Sequence, residues 1–218
     1  MKTVLSKCLW LGAAGVAATV ALAVVTGAGE QPKPMDPTRP QYTADGMLKS
    51  PDPELFREWV QLGTPLTPND LNNGEAAFPE FHATYVPHWA WNEFKKNGVW
   101  PDGTILAKEL IKVGETQASS GKGYFEGEFN GLDVAVKDSK QNPNTLNNWA
   151  YYNFNHSKPP YAAMAAAQAK ANCSSCHEAN AGPDADYTFT KYYPKAVAAL
   201  AKLKAKDKPK EPGMAPGK

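Results

Sequence analysis

The sequence predicts an α+β fold, mainly an antiparallel β-sheet with flanking helices. Three observations carry that reading. Aromatic and β-branched residues fall in short runs divided by turn residues, among them Asn97-Gly98, Asp102-Gly103 and the stretch 119–121. The connections between runs are short, which favours antiparallel pairing. Strand-like runs come mostly first and helical patterns later, the order of an α+β chain.

Taken in order, strands are expected at 58–62, 81–86, 104–113, 123–129, 132–137 and 149–155. A helix is expected at 88–97, closed by the turn at Gly98, and a second at 160–171. An alanine-rich pattern over 194–206 predicts a third. Residues 29–54 are rich in Pro, Gly and charge with almost no apolar periodicity, the composition of a linker. The last residues, 206–218, read as a disordered basic tail. The folded domain is therefore expected over 55–205, and no internal repeat is visible in it.

Size and charge exclude several classes. The 218 residues suffice for one domain of about 150 residues with terminal extensions. Hydrophobic residues at 42% and charged residues at 21% exclude a disordered or collagen-like chain. The net charge of +1 argues against a nucleic-acid partner, but it is unevenly spread. Residues 195–218 carry +5 and residues 1–28 carry +2, which leaves −6 for 29–194. The body is acidic and the tail is basic.

Residues 1–28 read as an export signal. Lys2 and Lys7 precede an uncharged apolar run over 8–25, and Thr26-Gly27-Ala28 offers the small residues that a signal peptidase needs. The run of 18 residues is also just long enough to span a bilayer, so a retained inner-membrane anchor is the second reading. Both readings place the remainder outside the cytoplasm, in the periplasm. Cys8 lies ahead of most of the apolar run, which makes a poor lipoprotein start, so Cys173 and Cys176 are the cysteines of the body.

These two cysteines carry the chemistry. Cys173-Ser174-Ser175-Cys176-His177 is a C-x-x-C-H sequence, the attachment motif of c-type haem. Two thiols three positions apart reach the two vinyl groups on one edge of a porphyrin, and the adjoining imidazole ligates the iron. A thiol redox pair has no need of His177. A zinc site needs two more ligands, yet the body offers no further cysteine and only three other histidines without suitable spacing. A disulfide across two residues is strained. One haem c per chain is expected, with His177 as its protein metal ligand.

The sixth iron position lacks an evident ligand. Beyond His177 the sequence has only Met214, in the tail, and no histidine. Upstream stand Met164, His82, His88 and His156, and Met164 falls on the helix expected to deliver the motif. An open iron, which binds or transforms a ligand, follows from that inventory. The glycines at 121, 123, 127 and 131 miss the G-x-G-x-x-G spacing and read as turn and bulge residues rather than a nucleotide loop.

At this point the chain resembles the cytochrome P460 family, which includes the related β-sheet cytochromes c′. The matching stretches are Glu58-Trp59-Val60 with Gly63-Thr64, Leu66-Thr67-Pro68-Asn69 with Leu71-Asn72, and Phe78-Pro79-Glu80-Phe81-His82. They continue through Asp102-Gly103-Thr104, Lys108-Glu109-Leu110, Gly123-Tyr124-Phe125, Val136-Lys137 and Asn148-Trp149-Ala150-Tyr151. The haem motif and Phe189-Thr190-Lys191-Tyr192-Tyr193-Pro194 complete the set, which covers roughly 56–194.

The resemblance implies an antiparallel sheet with helices, a homodimer, a five-coordinate c-type haem and, in P460 proper, a covalent bond from a lysine to the macrocycle. That lysine aligns with Lys108. Strand alternation puts Leu106, Lys108, Leu110 and Lys112 on one face and Ile105, Ala107, Glu109 and Ile111 on the other, and both faces carry charge. Alternation alone does not say which face turns inward.

The resemblance also implies hydroxylamine oxidation, with electrons passed to a soluble cytochrome. That reaction releases protons, so a base is expected near the substrate. The segment before the motif holds no acid, and Gln168 is its polar candidate; Glu80, Glu109 and His82 are the other candidate bases. The β-sheet cytochromes c′ instead cap the iron with phenylalanine, and Phe78 and Phe81 stand in the corresponding region. Three functions therefore stay open: a hydroxylamine-oxidising haem enzyme, a non-enzymatic protein that binds nitric oxide and, third, a plain electron carrier with an unrecognised sixth ligand.

Overall fold

The computed structural model describes residues 35–158 and 160–206. The fold below is that of the unit Asp36–Lys218. The expected export signal and most of the basic tail lie outside the described residues. Among the described residues no helix is long and apolar enough to cross a membrane.

In chain order the elements are β1 (Leu48–Lys49), α1 (Pro53–Phe56), β2 (Val60–Gly63), β3 (Glu80–Val86), α2 (His88–Asn97) and β4 (Ile105–Val113). There follow β5 (Gln117–Ala118), β6 (Gly121–Lys122), β7 (Glu126–Lys137), β8 (Trp149–Asn153), β9 (Met164–Ala165), α3 (Ser174–Asn180) and α4 (Pro194–Lys206). The main sheet has five antiparallel strands in the order β2-β3-β4-β7-β8. Each strand pairs with its neighbour in the sequence of sheet strands, as short connections require.

Both faces of the sheet are covered, and pleating sorts the residues between them. One face sends Ile105, Ala107, Leu132, Val134, Val136, Ala150 and Tyr152 against Phe56, Trp59 and Leu48. The other sends Leu106, Val86, Trp149 and Tyr151 against α2, α4 and the segment that carries Cys173. α2 buries Ala90 and Phe94, stacks Phe94 on Trp100 with centroids 4.0 Å apart, and closes at Gly98 with φ +73°.

The expected strands at 123–129 and 132–137 form one twelve-residue strand, β7. Leu110 pairs with Gly131 and Ile111 with Phe129, so Asn130 is the extra residue of a β-bulge. A bulge looks like a strand end in sequence because it breaks the alternation of the residues flanking it.

The helix expected at 160–171 does not form. This segment runs extended: Met164 and Ala165 pair with Lys49 and Leu48, Ala167 bridges to Tyr152, and the Gln168 N–H donates to the Tyr151 carbonyl at 2.8 Å. Alanine favours helix by only a few tenths of a kcal/mol per residue, roughly, and strand hydrogen bonds outweigh that preference here. Met164 is thus on a strand and 44% exposed, not on a helix leading to the motif. The partner of this segment comes from the stretch read as linker. Leu48 within it is buried, because a single apolar residue anchors an otherwise polar run.

Candidate functional site

The haem-attachment motif opens α3 against the second face of the sheet. Cys173 stands at the helix N-cap, half-buried, and Cys176 is exposed; both are free thiols. Three positions apart on one helix, they share a side. Burial raises the Cys173 thiol pKa. Among the described residues no cluster of three or more His, Cys, Asp or Glu side chains is placed to hold a metal ion.

His177 is held on three sides. Its ring lies against Tyr151, with centroids 4.1 Å apart, and against Phe189 at 4.7 Å. Its Nδ1 is 2.7 Å from the carbonyl oxygen of Tyr187, so Nδ1 carries the proton and donates there. Burial lowers the pKa of His177 and keeps the imidazole neutral. A neutral ring oriented by an Nδ1–H bond leaves Nε2 as the electron donor, the form an iron ligand takes. Two free thiols on one helix side and a ring committed in this way fit a c-type haem.

The carbonyl that holds His177 sits in a tight loop. Asp186 and Tyr187 both adopt left-handed backbone, with φ of 51° and 53°. For a bulky residue such as tyrosine that conformation is costly and persists only where the surroundings enforce it. The enforcing group is the Asp186 carboxylate. It accepts from Lys137 Nζ at 2.8 Å, Asn147 Nδ2 at 2.6 Å, Trp149 Nε1 at 3.3 Å and the Trp100 N–H at 3.3 Å.

Moving along the same face, the next cross-strand row is Thr84, Lys108, Asp133 and Asn153. The Lys108 ammonium is 3.1 Å from Asp133, whose other oxygen accepts from Asn153 Nδ2 at 2.7 Å. The charge on Lys108 is felt at Cys173, His177 and His82 alike. The question left by alternation is answered: the Lys108 face is the one turned to the motif, and Glu109 faces away. Glu109 is 1% exposed, receives Arg57 at 2.6 Å and Tyr161 at 3.4 Å, and takes no part in the site.

One row further stand His82 and Gly131, with His156 over the glycine. A Cβ on Gly131 would lie 2.8 Å from the His156 Cα, so only glycine admits that histidine. His156 Nε2 is 2.9 Å from Glu80 Oε1, which also accepts from the bulge residue Asn130 at 2.5 Å. Glu80 is 4% exposed, and its Oε2 and the His82 Nε2 are buried without a hydrogen-bond partner. Burial, reinforced by the charge of Lys108, pushes the His82 pKa down to about 4. Phe78 covers this group. Its ring stacks on His156 at 5.7 Å, meets His82 edge-on at 6.0 Å and lies 5.0 Å from the Lys108 ammonium.

The structure thus brings Cys173, Cys176, His177, Lys108, His82, Glu80 and Phe78 to one face of the sheet. It turns Phe81 to the opposite face, and it sets Gln168 at the motif end of the site, apart from the Glu80–His156 pair. Phe81 pairs with Ile111 and points to the opposite face, since it is one residue away from both Glu80 and His82. Gln168 is half-buried beside the motif and accepts from Asn172 at 3.1 Å. His88 is exposed near the Glu58 carbonyl, remote in role from the other histidines. The partners that sequence reasoning missed are Asp133, Asn130, Tyr151 and the Tyr187 carbonyl. Only strand register could have found the first two. His156 entered only as an iron-ligand candidate, because its partner Glu80 is 76 positions away.

Residues 53–190 match the family model described as cytochrome P460. No curated protein matches the chain.

Proposed function

The chain belongs to the cytochrome P460 family and is a c-type haem protein, and from that premise we propose that it oxidises hydroxylamine. One observation carries the proposal: proton-accepting side chains stand on the same sheet face as His177, beyond Lys108. Hydroxylamine is neutral, so conversion to a neutral product removes one proton for each electron. The electrons pass to a soluble cytochrome, and the protons need a base.

Cys173 and Cys176 hold the porphyrin and His177 holds the iron. When bound, the haem supplies a centre that binds small nitrogen compounds and takes their electrons. His82, neutral throughout the physiological range with an unpartnered Nε2, accepts a hydrogen bond from substrate. Glu80 and His156 form the relay that takes the proton outward: the carboxylate is buried, while the imidazole is 22% exposed. Phe78 excludes water from above. Lys108 would be the residue joined to the macrocycle, and Asp133, 3.1 Å from its ammonium, holds that side chain in position on the face turned to the motif.

The second reading, nitric oxide capture without turnover, draws support from Phe78, whose ring closes the cluster as an apolar cap. Under either reading the protein acts as a periplasmic homodimer with one haem per chain. Stopped-flow mixing of holoprotein with hydroxylamine and an artificial oxidant separates the two. Turnover supports the enzyme. Tight nitric oxide binding with no turnover overturns it and leaves the gas-binding protein.

A further inference from the structure

The Tyr187 carbonyl oxygen has two donors. His177 Nδ1 reaches it at 2.7 Å and the Tyr151 hydroxyl at 3.1 Å. Tyr151 also lies against the His177 ring. The oxygen itself is placed by two consecutive left-handed residues, and the carboxylate of the first is tied down by four donors, with Lys137 buried beside it. Tyr187 N–H donates to the Gly182 carbonyl at 2.8 Å, and Trp100 Nε1 donates to Thr188 at 3.2 Å, which secures both ends of the loop.

We infer that Tyr151 and Asp186 are positioning residues that set the electron-donor strength of His177 through this one carbonyl oxygen. Donation from Nδ1–H pushes electron density to Nε2, and a better acceptor pushes more. An oxygen that accepts two protons gives less to each, so the Tyr151 hydroxyl moderates the donor strength. Asp186 works in the opposite sense, because it fixes the oxygen in line with the ring. A stronger imidazole donor stabilises the more highly charged iron and lowers the reduction potential.

The two residues therefore shift the potential in opposite directions, which a merely structural role does not do. Tyr151→Phe keeps the ring on His177 and removes only the hydroxyl. In holoprotein its potential, read by spectroelectrochemistry, is expected to fall, and the iron–histidine stretching band of the reduced protein is expected to rise. Asp186→Asn is expected to raise the potential. That variant leaves Lys137 without its buried counter-charge and risks misfolding. Asn147→Gly serves beside it, because glycine tolerates the left-handed backbone at 147 (φ 46°) and only one donor to Asp186 is lost. Its potential is expected to rise by less.

No change, or a shift of opposite sign, in either Tyr151→Phe or Asn147→Gly overturns the inference. The inference rests on His177 as the iron's ligand, which the band of the unsubstituted protein tests alone. It is independent of whether hydroxylamine is turned over.

Discussion

Lys108 and Asp133 are cross-strand partners on β4 and β7, ammonium to carboxylate 3.1 Å, in the row between that of His177's neighbour Tyr151 and that of His82, Leu110 and Gly131. A partly exposed pair of this kind contributes about 0–1 kcal/mol to stability, so the fold depends little on it. If Asp133 positions Lys108 for a bond to the macrocycle, peptide mass spectrometry should find the Lys108 peptide joined to the Cys173 peptide through haem. Asp133→Asn should lower the yield of that species. Full recovery of an unmodified Lys108 peptide from native protein refutes the bond.

Attachment through Cys173 and Cys176 should survive denaturation. Acid–acetone extraction is expected to leave the haem with the polypeptide, and its complete passage into the organic layer would count against the thioethers. His177→Ala should retain the haem but lose its normal spectrum, since the thioether bonds are independent of ligation.

The relay makes a directional claim about turnover. A positioned general base is typically worth about 10²–10⁴-fold in rate. Glu80→Gln is expected to lower hydroxylamine oxidation within that range, and His156→Gln to follow it. Gln168→Glu is expected to change the rate far less, because Gln168 stands beside Asn172 and outside the relay. A large gain from Gln168→Glu with no loss from Glu80→Gln would move the base to the segment ahead of the motif.

Gly131 tests the packing beneath His156. A Cβ there meets the His156 backbone, which cannot swing aside as a flexible side chain can. Gly131→Ala should destabilise the fold by roughly 1–3 kcal/mol, measured by denaturant unfolding. Wild-type stability in that variant would show that the loop carrying His156 gives way freely.

His82 predicts an acid limb in stability. Its folded pKa, about 4, lies below the unfolded value of about 6.5 because burial disfavours the charged ring. Above 6.5 both states are neutral there and the site adds no pH dependence. As pH falls from 6.5 to 4 the unfolded chain takes up the proton first, and stability is lost at up to about 1.4 kcal/mol per pH unit. Thermal melts of His82→Gln against wild type across that window should show a shallower decline in the variant. Parallel curves would mean that His82 is solvated in the native protein.

Much of the fold was legible because local chemistry agreed with it. Turn residues and short connections mark the antiparallel strands, and the Gly98 stop marks α2 to the residue. The motif announces its own chemistry. The failures share one cause, partners distant in sequence. The alanine-rich stretch 160–171 is extended because Leu48, over 100 positions earlier, supplies a strand beside it. Asn130 hides a bulge whose purpose appears only once Glu80 is seen to receive its amide. Lys108 and Glu109 differ by one position and by an entire face of the sheet, a choice that depends on which layer packs where.

The order of strands along the chain has a bearing on maturation. Every strand of the main sheet lies between Val60 and Asn153, each beside its chain neighbour, and Cys173 comes after all of them. A chain that enters its compartment amino end first presents these strands ahead of the motif, and neighbour-to-neighbour pairing closes only short loops, so the sheet is free to assemble before the cysteines arrive. The wall that carries Lys108, His82 and Glu80 would then be a finished template when the porphyrin is joined. Thioether formation at the exposed Cys176 would then be the final clasp on a preformed surface rather than the seed from which the domain grows.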